Sequence, residues 1–275
     1  MSQSAKRIVL ASRPVGEPKP DNFRLEDYPV PAPGEGQILL RTVWLSLDPY
    51  MRGRMDDGPS YSAPVPIGGV MEGGTVCEVM ASNNPGFAKG DYVLAHTGWQ
   101  QYALSDGKGV RKVDPKIAPI STAVGVLGMP GMTAYTGLLA IGQPKAGETV
   151  VVAAASGAVG SAVGQIAKIK GCTVVGSVGS DDKAELARAN GCAHTIVYTR
   201  EDFVARTKEL TGVLFDFGTP QAPRLFKCDG RTWVVWPVPA SLCAVPPAAE
   251  APPPGTAAYK ARTKIPPPAP PSGLY

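Results

Sequence analysis

AAASGAVGSAVGQ, residues 153–165, decides the fold. Immediately before and into it, Glu148 to Ala154 (ETVVVAA) is a continuous apolar run, which predicts a strand buried on both faces. Immediately after it, Val159, Ala162, Val163, Ile166 and Ile169 follow the spacing of a helix packed on one side, over Ala158 to Lys170. Gly157 and Gly160 therefore stand where a buried strand turns tightly into a helix. Gly157 would let the backbone approach a pyrophosphate, and Gly160 would let the helix lie close on the strand. The amides of Ala158, Val159 and Gly160 would then point at phosphates from the helix N-terminus. In the usual G-x-G-x-x-G the first glycine is here Ala155. Placement after a buried strand makes this a dinucleotide fingerprint; the bland alternative is a small-residue helix contact.

Working outward, Thr173 to Ser177 (TVVGS) reads as a second buried strand. Asp181 to Asn190 reads as a helix with Ser180 at its N-cap and Gly191 as its stop. A strand over His194 to Tyr198, a helix over Glu201 to Leu210 and a short strand over Val213 to Phe217 follow. Such alternation predicts a parallel, doubly wound sheet. NAD binders place an acid about 20 residues past the fingerprint. That position is neutral Ser177, followed by Gly179, Ser180 and Lys183, so NADP(H) is the expected cofactor. Lys183 is either a partner of the 2′-phosphate or a solvated helix charge. Asp181 and Asp182 oppose a phosphate only if they point inward; acids at a helix start usually face solvent.

Before about Ala123 the chain is β-rich. Strands are expected over Gln37 to Leu47, over Gly69 to Met80, and twice within Asp91 to Ser105, with no helix of clear period. Short strands with Gly- and Pro-rich connections suggest a small barrel or sandwich. The 275 residues carry 27 Lys+Arg against 23 Asp+Glu, and no basic run exceeds two, which excludes a strongly basic nucleic-acid binder. No apolar stretch approaches a membrane span, and the N-terminus lacks a signal-peptide core. Five scattered cysteines fit a reducing compartment, so a cytoplasmic protein is expected. Two histidines (His96, His194) and no C-x-x-C offer no zinc-site spacing, so no metal is expected. Of 29 prolines, 14 fall after Gly212, with six basic and three acidic residues. From Gly218 onward the periodicity stops, and an irregular Pro-rich tail is expected.

SLDPYMRGRM (46–55), PSYSAPVPIG (59–68), GVLGMPGMTAY (125–135), the fingerprint segment and VVGSVGSDDK (174–183) closely resemble the zinc-free medium-chain dehydrogenase/reductases. Within these, the likeness is to the branch of the curcumin reductases, plant double-bond reductases and prostaglandin/leukotriene reductases. It runs from about residue 6 to 212.

The resemblance implies a GroES-like domain over 1–124, an incomplete Rossmann domain binding NADP(H) over 125–218, and the irregular tail over 219–275. It implies reduction of the carbon–carbon double bond of an α,β-unsaturated ketone or aldehyde, with hydride to the β-carbon and a proton to the α-carbon. Carried over by position, Gly157 to Gly160 would hold the pyrophosphate and Lys183 the 2′-phosphate. Tyr198 would lie beside the adenosine and Thr133 near the nicotinamide. Tyr61 would be the proton donor, or else a tyrosine on a mobile loop. The family continues with an N-V-G-G loop and a second tyrosine that this chain lacks. A truncated NADP(H) binder without turnover and a quinone reductase are therefore the rival readings. A small-molecule enone or enal is the expected partner, and a homodimer through the sheet edge stays open. The loss of pattern after Gly212 is what a shifted reading frame would produce. Translating the other two frames tests that, and finding no Y-N or N-V-G-G segment in either would refute it.

Overall fold

The computed structural model describes residues 4–58 and 60–211, together with two short strands further on, 225–228 and 232–235. In the first part, β1 (Ser4–Leu10) pairs antiparallel with β2 (Phe23–Pro29). A five-stranded antiparallel sheet follows, built from β3 (Ile38–Leu45), β4 (Thr75–Ser82), β5 (Tyr92–Ala95), β6 (Tyr102–Ser105) and β7 (Arg111–Val113) in the order β6-β3-β4-β5-β7. Alternate residues Ile38, Leu40, Cys77, Val79, Val93 and Ala95 point to one face and form its core. β4 begins at Thr75 rather than Gly69. The glycines before it make a loop in which Gly73 lies against Leu45, Met51 and Trp99.

A helix where none was expected, α1 (Tyr50–Arg54), joins the two halves of this unit. Five residues are too few to show a 3.6-residue period, which is why the pattern missed it. It starts after Pro49, whose fixed φ suits a helix entry, and it buries Met51 and Arg54. A short helical turn at Ile120–Val124 leads to α2 (Met129–Tyr135), which widens into π-helical turns over Thr136–Gly142 and stops at Gln143 with φ +51°.

The second part alternates β8 (Thr149–Val152), α3 (Ala158–Ile169), β9 (Thr173–Val178), α4 (Asp181–Ala189), β10 (His194–Val197) and α5 (Phe203–Thr211). β8 is buried on both faces, as its unbroken valines require. Val150 and Val152 pack with Ala162, Val163 and Ala167 of α3 and Ala184 of α4, whereas Val151 packs with Val175, Ile196 and Phe203 on the other side. Each fully buried valine contributes on the order of 1.5–3 kcal/mol, which makes this three-residue strand segment the anchor of the sheet.

One expectation is corrected by the strands. The segment after residue 219 is not irregular throughout. β11 (Leu225–Cys228) and β12 (Thr232–Val235) form an antiparallel pair, and β12 runs parallel to β8, giving the order β10-β9-β8-β12-β11. The TWVV of β12 is β-branched and aromatic, a strand signal that was masked by the surrounding prolines. The strand expected at Val213 to Phe217 lies outside the described residues.

Candidate active site

At the C-terminal end of β8 the chain reverses through Ala154, whose φ of +49° is left-handed, a conformation that costs a residue with a Cβ about 1 kcal/mol or more. The reversal is held by Ala155 N–H donating to Ser177 O at 3.0 Å and Gly157 N–H donating to Ala154 O at 2.8 Å. A Cβ on Gly160 would collide with the Ala154 carbonyl, so the close strand–helix approach read from the sequence is present. No side chain caps α3 and its first turn contains no acid. Its first amides, on Ala158, Val159 and Gly160, therefore lack an intrahelical acceptor and carry the positive end of the helix dipole. That arrangement fits a pyrophosphate.

The neighbouring strand ends carry the residues that the sequence reading expected beside the adenosine. Ser177 is buried, with no partner for its hydroxyl among the described residues. Tyr198, half-buried at the end of β10, lies so close to Gly179 that a Cβ there would come within 2.9 Å of the phenol oxygen. Lys183 is exposed in the first turn of α4. Ser180 occupies the N-cap position without capping the helix; its hydroxyl bonds Asp182 and holds that carboxyl below the usual range. Asp181 is exposed and paired with Arg200 at 2.6 Å. Each acid thus has a partner within the protein, Asp181 in Arg200 and Asp182 in Ser180.

Within the first part of the chain and at its border with α2 lies a cleft with two lobes. One, of about 440 Å³, is lined by Tyr50, Arg54, Tyr61, Glu72 and His96 among others. The second, of about 250 Å³, is lined by Asp48, Tyr50, Tyr61, His96, Ala123 and Met129 among others. Tyr50, Tyr61 and His96 belong to both. Tyr61 is 85% exposed, while Arg54, whose guanidinium lies 4.3 Å from the centre of its ring, is 2% exposed. Burial pushes the Tyr50 phenol above its ordinary pKa, and the Asp48 and Glu72 carboxylates push the same way. Thr133 lies on α2, one turn beyond Met129, with its hydroxyl 3.7 Å from the Met129 sulfur. Among the described residues no three of His, Cys, Asp and Glu converge as metal ligands.

Tyr50, Arg54, Glu72 and His96 were not singled out from the sequence. Tyr50 and Arg54 stand at i and i+4 of α1, on one face of a helix too short for its period to be read from SLDPYMRGRM. Glu72 and His96 carry no sequence signal, because only the tertiary fold brings them to the cleft.

Residues 6–113 match the family described as the N-terminal domain of oxidoreductase, and residues 158–227 the family described as zinc-binding dehydrogenase. The second match runs past residue 212, where the resemblance read from the sequence stopped. The chain is 61% identical to the NADPH-dependent curcumin reductase of Escherichia coli over 185 residues, covering 67% of this chain and 54% of that protein. It is 43% identical over 190 residues to prostaglandin reductase 1 of Oryctolagus cuniculus, covering 68% of this chain and 52% of that one. The crystal structure of CurA from Vibrio vulnificus in complex with NADPH superposes with a TM-score of 0.72 at 53% identity, over 75% of this chain and 61% of that one. The chain thus spans about half the length of the curated relatives it matches.

Proposed function

Because the chain belongs to the medium-chain dehydrogenase/reductase family, in the branch of the curcumin, prostaglandin and 2-alkenal reductases, we propose that it reduces the carbon–carbon double bond of α,β-unsaturated ketones and aldehydes with NADPH. The observation that carries the reading is Tyr61, a phenol at the junction of both lobes of the cleft. A proton donor is what such a reaction asks of the protein.

The residues divide the work. Ala158, Val159 and Gly160 receive the pyrophosphate on their amides. Lys183 pairs with the 2′-phosphate, and Tyr198, fixed against Gly179, flanks the adenosine. Thr133 borders the nicotinamide. NADPH held there would supply the hydride for the substrate's β-carbon, the transfer that makes the substrate an enolate. Tyr61 then donates its Oη proton to the α-carbon and recovers it from solvent, to which it is open. The apolar wall of Ala123, Val124 and Met129 takes the substrate's carbon chain.

NADPH oxidation by the full chain, with an aliphatic enone, with a quinone and with neither, tests this. Enone-dependent oxidation that leaves a saturated ketone supports the reading. Oxidation with the quinone alone would replace it by a quinone reductase, and NADPH binding without any turnover by a non-catalytic binder.

A further inference from the structure

We infer that Arg54 is a positioning residue for Tyr61, holding the ring at the cleft; the inference rests on Tyr61 being the proton donor. The Tyr61 segment is a bend without regular secondary structure, and the side chain is 85% exposed. Nothing in residues 60–63 themselves would fix a phenol in one place. Arg54 supplies what the loop lacks. Its guanidinium is buried to 2% exposure and lies 4.3 Å from the Tyr61 ring centre. Its Nη1 donates to the Ser62 carbonyl at 2.5 Å and reaches the Ala63 carbonyl at 3.5 Å. Its backbone carbonyl accepts from Val65 N–H at 2.8 Å, and its Nε lies 3.8 Å from Glu72, which lines the same lobe.

One cation therefore bonds the backbone just after Tyr61, faces its ring and lies within ion-pair distance of Glu72. A lysine could not do all of this, since its ammonium is a point charge without the planar fork. The role also accounts for a buried charge that, among the described residues, has one carboxylate within ion-pair reach, at 3.8 Å. A buried cation costs much unless several groups compensate it, and here the compensating groups are those that hold the loop.

The test uses the full chain with R54M, R54K, Y61F and the R54M/Y61F double variant, and with 3-fluorotyrosine placed at position 61. A misplaced catalytic group costs on the order of 100-fold. R54M is expected to lower kcat by about 10–100-fold with the NADPH Kd unchanged, and R54K to recover part of the loss. The double variant is expected to be no slower than Y61F, because both changes remove the same step. The fluorine resonance is expected to move toward that of free 3-fluorotyrosine in R54M, and less so in R54K. An unmoved resonance overturns the inference, as does a double variant whose loss is the product of the two single losses. Should R54M fail to fold, the R54K resonance and kcat decide in the same way. If Y61F turns over normally, the proton-donor reading fails, whereas the fluorine resonance still judges whether Arg54 holds the ring.

Discussion

Lys183 and Tyr61 have different proposed roles, one toward the cofactor and one toward the substrate, so their replacement should separate binding from chemistry. Lys183→Ala removes one charge-assisted contact, worth about 1.5–3 kcal/mol. The Kd for NADPH should rise roughly 10- to 100-fold while that for NADH stays put, as read by quenching titrations with both cofactors; equal weakening of the two would remove Lys183 from the 2′-phosphate. Tyr61→Phe deletes a general acid, typically worth about 100-fold or more, and should lower kcat with little change in NADPH affinity. Cys192 reports on the interior instead. Burial raises its thiol pKa from 9.0 to about 11, so the folded state keeps a proton that the unfolded chain releases. Stability from this group is complete below pH 9 and is lost as pH rises toward 11, by up to about 1.4 kcal/mol per unit. Cys192→Ala should flatten the decline in melting temperature over that window. At this scale Gly160 was legible because a Cβ there would meet the Ala154 carbonyl. Arg54 was not, because its meaning comes from a tyrosine seven positions away on a loop with no period.

The strand–turn–helix unit of β8 and α3 is the element on which both fold and site depend. The valine run and the i, i+3, i+4 spacing made it readable, since a strand buried on both faces and a one-sided helix each leave a strong pattern. Gly160→Ala tests the close approach directly. The added methyl meets the backbone carbonyl of Ala154, which cannot rotate away. Overpacking of this kind costs about 1–3 kcal/mol, and for a domain of this size each kcal/mol lowers the melting temperature by about 2–4 °C. An unchanged melting curve would mean that the contact is not tight. Helix α1 and strand β12 show the limit of pattern reading. α1 is shorter than two turns, and the four residues of β12 stand in a proline-rich context that argues against a strand, yet each pairs or packs through partners distant in sequence.

For the whole molecule, the hairpin of β11 and β12 decides whether the parallel sheet has a covered edge. β12 pairs with β8 through Thr232↔Thr149 to Val235↔Val152. A chain ending at Thr211 would expose the hydrogen-bonding edge of β8, a template for intermolecular pairing. It should melt lower than the full chain and self-associate in sedimentation velocity; a truncated chain that is equally stable and monodisperse would show that the hairpin contributes nothing to the sheet. The claim that binds the two parts of the chain together is that the cleft at Tyr61 performs hydride-dependent reduction of an enone. Mass spectrometry of the product formed from an aliphatic enone with NADPH deuterated at C4 of the nicotinamide tests it most directly. The account predicts a saturated ketone carrying deuterium at the β-carbon and a solvent proton at the α-carbon. Recovery of unreduced enone from folded protein that binds NADPH, or deuterium at the carbinol carbon of an allylic alcohol, would contradict it.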